Sequence, residues 1–101
     1  MTDEKRKHER LPLPIAVLWE GARGKREART ADISESGCFI DSIGQVAVGE
    51  TIRFTLCLPT GDMKMQGEVV YEIPSLGFGL RFSSISDEDQ KRLEELLKPQ
   101  G

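Results

Sequence analysis

The stretch from Thr51 to Phe82, TIRFTLCLPTGDMKMQGEVVYEIPSLGFGLRF, decides the fold. It holds three alternating runs separated by two turn signals. Ile52, Phe54, Leu56 and Leu58 share one face, and Arg53, Thr55 and Cys57 share the other, the two-residue period of a strand. Pro59-Thr60-Gly61-Asp62 reads as a turn. Met63, Met65, Val69, Tyr71 and Ile73 then face one way, and Lys64, Gln66, Glu68 and Glu72 the other. Gly67 interrupts the pattern and marks a bend or bulge. Pro74-Ser75 turns the chain again, and Leu76, Phe78, Leu80 and Phe82 are expected to point inward.

Working outward, three shorter strands precede this stretch. Ile15–Trp19 puts Ile15, Val17 and Trp19 on one face. Residues 25–34 alternate small and charged side chains over Ala28–Asp32, which suits a half-exposed strand near a site. Glu35-Ser36-Gly37 reads as a tight turn, with Gly37 free to take positive φ, and Cys38–Ile40 follows. After Phe82 the period changes. Ser86 is placed to cap a helix whose first turn carries Asp87, Glu88 and Asp89 against the dipole. Leu93, Leu96 and Leu97 form its apolar stripe. Six strands and one helix predict an all-β chain with one C-terminal helix, folded as a six-stranded antiparallel β-barrel. The expected organisation is a flexible N-terminal arm over residues 1–12, the barrel over 13–83, and the helix and tail over 84–101.

Composition bounds the function. At 101 residues the chain is one domain's worth. Hydrophobic residues at 38% and charged residues at 31% fit a soluble globular domain. No apolar run approaches the roughly 20 residues of a membrane helix, so no membrane insertion is expected. The charged N-terminus does not read as a secretory signal. Two cysteines, Cys38 and Cys57, make neither a disulfide framework nor a zinc site. They read as reduced, buried small hydrophobes in a cytoplasmic protein. One histidine and no HExxH, GKS/T or GxSxG pattern argue against a hydrolase or P-loop enzyme, and no metal site is expected. The net charge of −3 hides a basic head, +3 over residues 1–29, on a body of −6. That distribution does not suit long nucleic acid, which rewards a broad basic face. Too few aromatics are present for a single-stranded RNA platform. Solvated charged termini are the plain reading; a small anion held by two or three arginines is the sharper one.

Two patterns carry chemistry. Arg6 and Arg10, four apart, project to one side whether that segment is helical or extended. Asp32-Ile33-Ser34-Glu35-Ser36-Gly37 has the form Asp-x-Ser-x-x-Gly. On a strand Asp32 and Ser34 point the same way, and Gly37 turns the backbone back toward what they face. The alternative is an Asx or Ser turn capping a hairpin. Trp19 and Tyr71 read as core or rim aromatics.

Arg6-x-x-x-Arg10, then 21 residues, then Asp32-x-Ser34-x-x-Gly37 resembles the paired signature of PilZ domains. Gly77-Phe78-Gly79-Leu80-Arg81-Phe82 resembles the last barrel strand of that family. The resemblance runs from Arg6 to the trailing helix. It implies a PilZ-like barrel that binds the bacterial second messenger cyclic di-GMP, needs no cofactor and performs no catalysis. It implies a receptor or adaptor whose arm changes conformation on ligand binding and signals to a downstream protein partner. Arg6 and Arg10 then offer planar forks to guanine edges or phosphates. Asp32 accepts from the guanine N1–H and amino group, the donor edge adenine lacks. Ser34 bonds phosphate or base. Gly37 and Gly79 let the ligand approach the backbone. Lys5 helps neutralise a stacked ligand pair, with a solvated lysine as the plain reading. Cys38 touches the ligand through its backbone. The competing reading keeps the barrel as a protein-interaction module that binds no nucleotide.

Overall fold

The computed structural model describes residues 12–98. Its elements are β1 (Ala16–Gly21), β2 (Gly24–Ile33), β3 (Gly37–Asp41), β4 (Thr51–Leu58), β5 (Gly61–Ile73), β6 (Gly77–Ser84) and α1 (Asp87–Leu97). Every strand pairs antiparallel with its neighbours, and the order β1-β2-β3-β6-β5-β4 closes into a barrel. Closure leaves no open edge, which suits a chain with room for one modest core. The expected all-β chain with a six-stranded antiparallel barrel and one C-terminal helix is therefore observed.

Alternation fills the barrel. Val17 and Trp19 of β1, Ile52, Phe54 and Leu56 of β4, Met63 and Met65 of β5, and Phe78 and Leu80 of β6 are buried together. Trp19 meets Phe78 edge-on, with ring centroids 5.0 Å apart. The Glu50 carboxylate accepts from the Ala22 N–H at 2.7 Å and from the Ala47 N–H at 2.9 Å, tying the β1–β2 turn to the segment before β4. Ser86 caps α1 as its sequence implies, accepting from the Asp89 N–H at 3.1 Å. Leu93 buries fully in the core, a contribution of about 1.5–3 kcal/mol. Arg92 donates to the Gly61 carbonyl at 2.7 Å and fixes the helix to the β4–β5 turn.

The structure corrects four expectations. Tyr71 and Ile73 face outward rather than sharing the face of Met63, because the β5–β6 register shifts between Val69 and Tyr71. Val70 is the extra residue, and the pleat inverts beyond it. The shift expected at Gly67 is present as well. Leu76 lies in the β5–β6 turn and is exposed, so it has no inward position to occupy. Cys57 is exposed, because it sits on the outward phase of β4 between Leu56 and Leu58; Cys38 is buried as expected. Gly37 does not take positive φ; among the non-glycine residues described, Ser75 does.

Candidate functional site

Three strands, β2, β3 and β6, form the wall that carries the Asp32 motif. Along β2 the ladder with β3 slips between Thr30 and Asp32. Thr30 pairs with the inward Ile40, while Asp32 pairs with the outward Phe39. The bulge thus turns a carboxylate out onto the barrel surface next to a residue that faces the core.

Thr30 is only 1% exposed. Its hydroxyl accepts from the Ile15 N–H at 2.9 Å and donates to the Leu13 carbonyl at 2.6 Å, and its own N–H donates to the Ile15 carbonyl at 2.9 Å. The segment leading into β1 is therefore fastened two residues from Asp32. Sequence reasoning passed over Thr30. The available signal was a hydroxyl on the inward phase of β2, between Ala28 and Ile33, where a buried polar group needs partners.

Ser34 lies one residue past the end of β2, so the pleat that would align it with Asp32 has stopped. It is also 1% exposed. Its oxygen accepts from the N–H groups of Ser36 and Gly37 at 3.2 and 3.3 Å, and it donates to the Gly37 carbonyl at 3.2 Å. A hydroxyl has one proton and two lone pairs, so these bonds fill its capacity. Of the two readings open in the sequence, the turn-building one matches this geometry. Gly37 is glycine for a packing reason. A Cβ there would run into the Leu80 carbonyl of β6, so a side chain would force β3 and β6 apart. The Cys38 side chain points into the core, leaving only its backbone on this wall.

Gly79 is not bare either. The Tyr71 ring lies on it, and a Cβ would sit 2.6 Å from Tyr71 Cζ. The Phe39 ring lies against Gly77 in the same way. The two rings stack with centroids 5.9 Å apart and 26° between planes. Phe39 and Tyr71 had no assigned part at this site; Tyr71 was hidden by the β5 bulge. At the margin Arg81 and Glu68 form an exposed ion pair at 3.4 Å, worth little in water. Arg6, Arg10 and Lys5 lie outside the described residues.

The opposite wall, β1, β4 and the first half of β5, holds a groove of about 770 Å³ lined by Leu18, Arg53, Thr55, Lys64, Ile85 and Asp89. Its size suits a small ligand. Yet Asp32 is not among its lining, which takes only Lys25 from the start of β2, and Asp89 is engaged by Arg92 at 3.6 Å. No His/Cys/Asp/Glu group suited to a metal ion occurs among the described residues. Nor is any helix among them long and apolar enough to cross a membrane.

Residues 4–98 match the family model of the PilZ domain. The chain belongs to the PilZ family. PilZ domains are receptor and adaptor modules for cyclic di-GMP rather than enzymes. No curated protein matches the chain by sequence, but solved structures share its fold. The inhibitor of motility MotI/DgrA of Bacillus subtilis is 20% identical with a TM-score of 0.75, over 90% of this chain and 48% of that one. This PilZ domain thus spans about half the length of that relative. The PilZ domain of YcgR from Escherichia coli, solved with c-di-GMP, is 12% identical with a TM-score of 0.73, over 92% of this chain and 88% of that one. The PlzA protein of Borreliella burgdorferi, in complex with c-di-GMP, is 15% identical with a TM-score of 0.66, over 97% and 38%.

Proposed function

We propose that this PilZ domain binds cyclic di-GMP on the β2/β3/β6 wall and passes the signal to a partner protein in the cytoplasm. The observation that carries the reading is the placement of Asp32 two residues from the Thr30 tie. Leu13 is held there, and Arg10 and Arg6 precede it by three and seven residues. An extended chain spans roughly 11 and 25 Å over those separations, so both guanidinium groups have the reach to meet a ligand held at Asp32.

Each residue then has a chemical part. Arg6 and Arg10 clamp guanine edges or phosphates with two-pronged hydrogen bonds. Asp32 accepts from the guanine N1–H and amino group, and a base lacking those donors leaves the carboxylate unpaired. Ser34 and Gly37 set the corner that holds Asp32 out, and the Cys38 backbone forms part of its floor. Lys5 adds positive charge beside the phosphates. No cofactor is needed. The ligand acts by favouring one arrangement of the N-terminal segment over the others, and its affinity is reduced by the cost of ordering that segment.

Isothermal titration of the full chain with cyclic di-GMP tests this. Saturable binding, weakened at least tenfold in Arg10→Ala, is the expected result. No heat at tens of micromolar protein, or unchanged affinity in Arg10→Ala, overturns it. The second reading, a protein-interaction module that binds no nucleotide, draws on Ser34, whose hydrogen bonds are already spent on the turn. A partner that binds with equal strength with and without nucleotide favours that reading.

A further inference from the structure

We infer that the groove on the wall of β1, β4 and early β5 docks an acidic, extended segment of a partner protein, with an apolar residue between its carboxylates. This deepens the reading above and rests on its partner half, not on nucleotide binding.

The barrel register lays out the groove. Glu20 pairs with Lys25 and with Arg53, and Arg53 pairs with Gln66. Thr55 pairs with Leu18 and with Lys64. Paired residues in adjacent strands point to the same side, so these make two neighbouring outward rows. Lys25, Arg53 and Lys64 run diagonally across them, with Leu18 and Thr55 alongside. Arg53 and Lys64 are diagonal neighbours, a spacing of roughly 7–8 Å. Alternate side chains of an extended segment repeat at about 7 Å, so carboxylates two residues apart match the two cations.

The cations are left without partners. Residues 30–101 hold six basic and twelve acidic side chains. Arg81, Arg92 and Lys98 form ion pairs with Glu68, Asp89 and Glu95. Arg53 and Lys64 form none among the described residues, and neither does Lys25 of β2. Of the two carboxylates in the groove, Asp89 is shared with Arg92, and only Glu20 stands against the three cations. An acidic body thus carries one hollow of positive sign. Its apolar part is also uncovered: Leu18 is 47% exposed, and Ile85 is half-buried at the edge before α1. A single exposed leucine needs no explanation. One set in a groove among unpaired cations offers an apolar side chain a seat.

Size, topology and charge select the occupant. A volume of about 770 Å³ takes a few side chains, not a folded domain. The barrel is closed, so a visiting segment finds no strand edge to extend, and its side chains must carry the contact. Arg53 and Lys64 are exposed, so they do not enclose a small anion; a longer segment gains from several weak contacts at once. The chain's own Lys5-Arg6-Lys7-His8-Glu9-Arg10 stretch has the wrong sign to settle there.

The test is an amide NMR titration of the full chain, without nucleotide, using the blocked pentapeptide ELESE, its neutral counterpart QLQSQ, and free glutamate. Saturable shifts at Leu18, Thr55, Lys64 and Ile85 are expected with ELESE alone. Raising salt from 50 to 200 mM should weaken that binding by roughly threefold or more. Lys64→Glu should weaken it about tenfold, and Lys91→Glu, the same change of charge on an exposed α1 residue outside the groove, by less than about twofold. No saturable shift with ELESE overturns the docking site. So does equal binding of QLQSQ or glutamate, or equal weakening in Lys91→Glu. Shifts at the same amides that grow with protein concentration alone put a second copy in the groove and overturn it as well. Each of these failures leaves nucleotide binding standing, and failure of the cyclic di-GMP titration leaves the groove standing. Thermal melts of both variants separate a lost contact from a lost fold.

Discussion

The wall of β2, β3 and β6 and the wall of β1, β4 and early β5 belong to one barrel and follow one pleat, yet their outward positions are filled in opposite ways. On the second wall nearly every outward position carries a long or branched side chain: Leu18, Glu20, Arg53, Thr55, Lys64, Gln66. On the first, Gly37, Gly77 and Gly79 stand at outward positions, and register shifts at Thr30/Asp32 and Val69/Tyr71 re-aim the side chains around them. The 770 Å³ groove lies on the second wall, beside α1, whereas the proposed nucleotide site lies on the first. Volume there reflects side chains splayed over an open cleft, whereas the proposed site rests on missing side chains and bent strands. The difference teaches that the proposed site on this closed barrel coincides with the places where the regular pattern breaks.

The largest expected effect follows from the tightest of those breaks. Gly37→Ala places a methyl group against the backbone carbonyl of Leu80, which cannot swing aside as a side chain would. The expected cost is about 3 kcal/mol, which lowers the melting midpoint by roughly 10–20 °C. A melt within 2 °C of wild type, taken as roughly half a kcal/mol, would mean the β3–β6 approach is not tight, and the contrast between the walls would lose its main support. The next effect is on ligand, not stability. Asp32→Asn keeps the shape but replaces a double acceptor with a mixed group. Cyclic di-GMP affinity is expected to fall roughly 10- to 100-fold by isothermal titration, with little change in melting. Equal affinity would move guanine recognition away from this wall.

The regular parts of this molecule were legible in the sequence because strand alternation is a local signal. The β4 bounds agree with the expectation from Thr51 to Leu58, and α1 begins after Ser86 as its capping residue implies. The Asp32 corner was legible as a pattern of residue types. Its detailed form was not. Ser34 and Asp32 were expected to share a face, but β2 ends between them, and strand ends are set by partner strands that a local pattern does not contain. Tyr71 was phased with Met63 because one extra residue, Val70, leaves no mark in hydrophobicity. Thr30 and Leu13 meet across 17 positions of chain, a distance no turn signal spans.

Two smaller effects sharpen the contrast. Thr30→Val removes the hydroxyl that serves Leu13 and Ile15 while keeping the volume, which leaves a buried N–H and a carbonyl short of a partner. The expected loss is about 1–2 kcal/mol of stability, and hydrogen exchange at the Ile15 amide should accelerate more than at amides of β4. If cyclic di-GMP affinity falls as well, the tie helps present the preceding segment. If only stability falls, it serves the barrel alone.

The smallest expected effect is also the sharpest test of which wall is used. Lys64→Ala, on the wall opposite Asp32, removes an exposed cation from the 770 Å³ groove. Asp32 does not line that groove, so a charge there is expected to act on a dianion held at Asp32 only through water and salt. At physiological ionic strength the Debye length is about 8 Å, so the attraction is largely screened. Affinity for cyclic di-GMP should change by less than about twofold, and stability by less than about 0.5 kcal/mol. A tenfold loss of affinity at 150 mM salt could not come from screened attraction. It would place the ligand in the groove, against Lys64 and Arg53, and make the glycine-cut wall a matter of strand packing.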